Sequence, residues 1–133
     1  MTQKGREKRR YERIFFTREQ CIAGVFAGVF GEFENPEARF EAVVLNLSEG
    51  GLHFTRKRDG GKAIQPGDRL RLQSLQGPAP LNYAQGVEVE IKWVLDHEYL
   101  EHVGYGCEFV DPPPALRHMI QEVVRAGVLG SKD

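Results

Sequence analysis

The chain has 133 residues, 41% of them apolar and 28% charged, which is the composition of one soluble globular domain and excludes a disordered segment or a pair of independently folding units. No run approaches the roughly 20 apolar residues of a membrane span, and no apolar stretch follows the N-terminal Met-Thr-Gln-Lys-Gly-Arg-Glu-Lys as a secretory signal requires. The formal net charge of −1 hides an asymmetry, because residues 1–18 carry +5 and the remainder −6, so a basic arm on an acidic body points to a phosphate or polyanion partner for the arm.

Residues 1–13 are polar and read as a flexible basic arm. From Ile14 to Gly31 the β-branched and aromatic content favours strand over helix. Asn35-Pro36 marks a turn within 32–38. Phe40 to Ser48 is the next strand, and strict alternation sets Val43, Leu45 and Leu47 on one face with Ala42, Val44, Asn46 and Ser48 on the other. Gly50-Gly51 breaks the chain before a strand in which Leu52 and Phe54 alternate. Residues 56–67 form a polar loop that ends in a Pro66-Gly67 turn. Arg69 to Leu72 is a short strand, and 76–86 is a Pro- and Gly-bearing loop. Val87, Val89, Ile91 and Trp93 then alternate with Glu88, Glu90 and Lys92 as a half-buried strand. By that parity Trp93 belongs to the core unless a bulge re-aims it. Asp96 to Glu101 is a hairpin connection, and Tyr105, Cys107 and Phe109 alternate in the last strand.

Leu116, Ile120, Val123, Val124 and Gly127 recur at helical spacing, so the chain ends in an amphipathic helix for which Asp111 is the candidate cap. Six or seven strands and one helix predict an all-β fold. A closed or nearly closed antiparallel barrel removes exposed strand edges, and the helix covers an open end. The domain reading is an arm at 1–13, a barrel with its helix at 14–128 and a tail at 129–133. Cys21 and Cys107 have no CxxC spacing and read as reduced thiols of a cytoplasmic protein. His53, His97, His102 and His118 are scattered, without catalytic partners in sequence, and predict no metal site.

Two short elements carry chemistry. Arg9 and Arg13 are spaced i,i+4 with Arg10 beside them, and a planar guanidinium fork suits bidentate binding of phosphate or of the acceptor edge of guanine. Asn46-Leu47-Ser48-Glu49-Gly50-Gly51 places two hydrogen-bonding side chains on one strand face, followed by glycines that allow close backbone approach or positive φ. For Asn46 and Ser48 the alternative is a turn that bonds to its own backbone.

Taken in order, Arg9-x-x-x-Arg13 and Asn46-x-Ser48-x-x-Gly51 resemble the signature of the PilZ domain family. Pro66-Gly67-Asp68, Gly106-Cys107-Glu108-Phe109 and the terminal helix agree with that pattern over roughly residues 6–127. The resemblance implies a six-stranded antiparallel barrel with a C-terminal helix that binds the bacterial second messenger cyclic di-GMP, with no other cofactor. It implies that Arg9 and Arg13 are the primary ligand residues, assisted by Arg10, and that Asn46, Ser48, Gly50 and Gly51 form the barrel side of the site. Trp93 matches a family position that sometimes stacks on guanine, and Gly106 is placed to admit ligand or close packing. Asn at position 46 in place of Asp keeps an acceptor but loses a charge, which weakens its pairing with arginine.

The expected role is a single-domain receptor that relays cyclic di-GMP to a downstream protein in motility, exopolysaccharide, secretion or development, without membrane insertion. Two other readings stand beside it: an RNA or single-strand-binding small barrel, which the acidic body disfavours, and a PilZ-type adaptor that does not bind nucleotide. No nucleophile–base set, metal spacing or Walker-type loop is present, so the chain is read as a non-enzyme.

Overall fold

The computed structural model describes residues 13–16, 22–30, 33–58, 64–77, 81–97 and 99–126, and among them alternating apolar and polar residues become eight strands and one helix. The strands are β1 (Ile14–Phe15), β2 (Ala23–Phe30), β3 (Phe33–Ser48), β4 (Gly51–Lys57), β5 (Arg69–Gln76), β6 (Asn82–Tyr83), β7 (Val87–Leu95) and β8 (His102–Val110), and the helix is α1 (Pro114–Ala126). All pairings are antiparallel. Six strands form a ring in the order β3-β2-β5-β7-β8-β4, closed by the β3–β4 hairpin, while β1 adds to β3 and β6 to β5. This is the six-stranded barrel the motifs imply. No helix among the described residues is long and apolar enough to cross a membrane.

Three local readings change. Phe30 faces Phe33, so the β2–β3 reversal precedes Asn35-Pro36, and that dipeptide lies inside β3. There residues 36–39 stand against Ala27 alone, an irregularity that accommodates a proline without a ladder N–H. The loop at 76–86 contains the short strand β6, paired to Leu75 and Gln76. Asp111 does not cap the helix. It adopts φ 49°, a left-handed turn ahead of the helix, and the first helical carbonyl is that of Pro113, which accepts from the Leu116 and Arg117 N–H groups. Pro114 opens α1, where its missing N–H costs nothing. The Pro66-Gly67 turn stands as read: the Asp68 N–H donates to Gln65 O at 3.0 Å, and Gly67 takes φ 96°.

Inside the ring, Phe26, Phe54 and Tyr105 stack, with ring centroids 4.3 Å apart for the first pair and 4.9 Å for the second. Leu52, Leu72, Val89, Ile91 and Cys107 surround them, and Leu116, Ile120 and Val123 of α1 complete the same core from one end. Cys107 is a free thiol whose Sγ donates to Leu52 O at 3.5 Å. Burial pushes its pKa up to about 12. Arg117 of α1 reaches Glu49 in the β3–β4 turn at 3.5 Å, tying the helix to the second motif.

Candidate functional site

Two hairpins align four outward positions in one row. The tight turn at Glu49-Gly50 sets Ser48 opposite Gly51, Leu47 opposite Leu52 and Asn46 opposite His53. His53 in turn faces Gly106 of β8, and Gly106 faces Trp93 of β7. The row therefore crosses four strands as Asn46, His53, Gly106, Trp93.

Two bulges make the row possible. In β3, Val44 faces Phe54 while Asn46 faces His53, so Leu45 is an extra residue. Val44 and Leu47 are both buried in the core, and Leu45 and Asn46 both turn to the outer face. Strict alternation, which groups Leu47 with Val43 and Leu45, fails at this point. In β7, Ile91 faces Cys107 while Trp93 faces Gly106, with Lys92 extra. Ile91 stays fully buried, and Trp93 is 41% exposed, which corrects its assignment to the core.

The first motif reaches this row through β1. Pairing of Ile14 with Leu47 and Phe15 with Asn46, anchored by burial of Ile14, brings Arg13 alongside β3. Arg13 Nη1 donates to Asn46 Oδ1 at 2.5 Å. The Asn46 amide nitrogen can only donate, and it does so to His53 Nδ1 at 2.9 Å. The His53 ring meets the Trp93 indole edge-on, with centroids 4.7 Å apart and planes at 76°. Burial, and then the Arg13 charge, hold the His53 pKa below its ordinary 6.5. Gly106 lies directly beneath the indole, and a Cβ there would fall inside the Trp93 ring system.

The rest of the second motif is absorbed locally. Ser48 Oγ accepts the Gly50 N–H at 3.2 Å and donates to Gly51 O at 3.4 Å, so the hydroxyl closes its own turn. Gly50 O accepts the Phe109 N–H at 2.9 Å, locking the turn to β8. Neither Gly50 nor Gly51 has positive φ. At Gly51 the need is close approach, because a Cβ would collide with the Cys107 carbonyl.

Beside the row lies an open apolar trough of about 300 Å³ whose walls include Leu45, His53, Trp93, Leu95, Leu100 and Gly104. Among the described residues no cluster of three or more His, Cys, Asp or Glu is placed to hold a metal ion. Of the sequence candidates, Arg13, Asn46, Trp93 and Gly106 gather at one place, with Ser48, Gly50 and Gly51 at its edge. Arg9 and Arg10 lie outside the described residues, as do all of residues 1–12. His53 was missed. Its signal is the two-residue turn itself, which fixes residue 53 opposite residue 46 once Glu49-Gly50 is taken as the reversal.

The profile of the PilZ domain family matches residues 7–126. The chain belongs to the PilZ family. Solved PilZ-fold structures resemble it at low identity. The Bacillus subtilis inhibitor of motility MotI/DgrA aligns with TM-score 0.65 and 17% identity, over 93% of this chain and 53% of that one. The PilZ domain of Escherichia coli YcgR, solved with c-di-GMP, aligns with TM-score 0.59 and 13% identity over 90% of each chain. The K. pneumonia MrkH–c-di-GMP complex aligns with TM-score 0.63 and 16% identity, covering 91% of this chain and 52% of MrkH. The PilZ chain thus spans about half the length of MotI/DgrA and MrkH and most of the isolated YcgR domain. At these identities the likeness is one of fold. No curated protein sequence matches it.

Proposed function

We propose that this PilZ protein is a cyclic di-GMP receptor. The observation that carries the reading is the 2.5 Å bond between Arg13 of the first motif and Asn46 of the second, thirty-three positions apart in the chain. Arg13 and Asn46 thereby meet on one face of the barrel, beside an indole that is 41% exposed. The ligand offers two phosphates and two guanines. Arg13, with Arg9 and Arg10 delivered by the arm, supplies guanidinium forks for phosphate oxygens and for the O6/N7 edge of guanine. Trp93 supplies an apolar plane for stacking a base, and Asn46 holds the Arg13 fork in place. Ligands named for YcgR and MrkH support the same reading.

Signal transfer then runs through a second protein that reads the changed surface around the arm, and no catalytic step is needed. A single-strand groove needs a basic lining, whereas this trough is walled by Leu45, Trp93, Leu95 and Leu100 and bordered by Glu101. That argues against the RNA reading. Isothermal titration tests the proposal: cyclic di-GMP gives saturable heat, and cyclic di-AMP, GTP and cyclic GMP bind more weakly. Absence of binding, or cyclic di-AMP binding as tightly, overturns it.

A further inference from the structure

An asparagine between an arginine and a histidine poses a problem that an aspartate in the same place does not. A carboxylate accepts from either oxygen, so it pairs with a guanidinium however it is turned. A carboxamide has one accepting end and one donating end. Turned the wrong way, Asn46 would present its NH2 to the Arg13 guanidinium, donor against donor.

What selects the orientation is the other neighbour. Asn46 is 4% exposed, so bulk water does little to settle its amide. Its Oδ1 accepts from Arg13 at 2.5 Å and its Nδ2 lies 2.9 Å from His53 Nδ1. Since Nδ2 only donates, His53 Nδ1 must carry a lone pair, and the ring must be neutral with its proton on Nε2. The ring is held for this task by the Trp93 edge contact at 4.7 Å and by its place opposite Asn46 in the hairpin.

We infer that His53 is a positioning residue for ligand recognition: as a neutral acceptor it locks the Asn46 amide with its oxygen toward Arg13, replacing the orientation-independent acceptor that an aspartate would supply. The inference rests on the cyclic di-GMP reading for its functional consequence, but the orientation itself belongs to the free protein. Protonation of His53 puts a donor on Nδ1. The amide then does better turned over, with Oδ1 toward the imidazolium and NH2 toward Arg13, and the arginine loses its support. Acid therefore weakens ligand binding.

The groups facing His53 fit this picture. From the N-terminal side it meets the Arg13 charge, which opposes protonation, as burial does. Asn46 faces it from β3, Gly106 from β8 and Trp93 from β7, and none of these titrates. Glu101 and His102 border the trough beyond Trp93. On the same face of β8, Glu108 is ion-paired with Lys92 at 3.7 Å.

The test is a set of cyclic di-GMP titrations on the wild type, H53F, N46D and the N46D/H53F double variant, from about pH 8 to about pH 5. Phe keeps the ring against Trp93 and removes the acceptor. H53F is expected to weaken binding about tenfold when Asn46 is present and to leave N46D nearly unchanged. Wild-type affinity falls as the pH drops through the lowered His53 pKa, and N46D loses most of that acid sensitivity. Equal losses in both backgrounds, or no loss in either, overturn the inference and reduce His53 to a packing partner of Trp93. Nitrogen-15 NMR of the His53 ring in the ligand-free wild type is the independent arm. A proton on Nε2 and an accepting Nδ1 support the orientation, and a proton on Nδ1 at neutral pH overturns it. Absence of wild-type binding with the expected tautomer counts against the receptor reading alone.

Discussion

On the inner side of the panel formed by β3, β4, β8 and β7, Phe54 stacks on Phe26 and Tyr105 within a wholly apolar surround. On its outer side, Arg13, Asn46, His53 and Trp93 are joined by two hydrogen bonds and one ring contact. The inner side is held by many small, non-directional contacts, so it loses stability in proportion to the volume removed. The outer side is held by a few directional contacts to polar atoms, where one reversed donor matters more than several methylenes. Stability and the proposed recognition thus fall on opposite faces of the same four strands.

The largest expected effect breaks the inner side. Phe54→Ala removes a fully buried ring and should lower unfolding stability by about 3–5 kcal/mol in urea denaturation. Next is Arg13→Ala, which should weaken cyclic di-GMP binding roughly ten- to a hundredfold by titration calorimetry. Its melting temperature should move far less than that of Phe54→Ala. A stability loss comparable to Phe54→Ala would erase the contrast between the faces.

Ser48→Ala sharpens the boundary. The hydroxyl is spent on the Gly50 N–H and the Gly51 carbonyl, so the substitution should cost about 0.5–1.5 kcal/mol of stability and change affinity little. A selective loss of affinity at unchanged stability would move Ser48 to the ligand side.

The effect that is smallest near neutral pH is the one that shows itself only in alkali. The Cys107 thiol titrates near 9.0 when unfolded and at about 12 when folded. A raised acid pKa favours the folded state below the unfolded value, so this contribution declines as the pH rises from about 9 toward 12. Alkylation of native Cys107 should be slow at pH 8, and denaturant should accelerate it.

Alternation and turn dipeptides sufficed for the barrel because each strand buries one face, and a slip of one residue would expose its whole apolar set. The motif pair likewise brought Arg13 and Asn46 to one site. The errors sit where local pattern stops determining geometry. Leu45 and Lys92 are extra residues whose effect is invisible until the opposing strand is known, and each reverses the parity of the residues after it. Trp93 was misplaced for that reason. Asn35-Pro36 reads as a turn on composition, but the reversal falls earlier and the proline is housed in an irregular stretch of β3. His53 escaped notice because its role depends on the lone pair of one ring nitrogen, which no residue type announces.

Ring closure also governs how fast the barrel can form. The β3–β4 hairpin is local, but β4 must find β8 in a register running from Gly51 opposite Glu108 to Lys57 opposite His102. β2 must likewise bypass β3 and β4 to reach β5. Loop-closure entropy is lost before those distant ladders return any free energy, so folding belongs to the slow, millisecond-to-second regime of non-local β topologies. Until β8 docks, Gly51 has no Cys107 carbonyl to pack against and Gly106 does not lie beside His53. The proposed recognition row is therefore complete only once β8 has paired with β4.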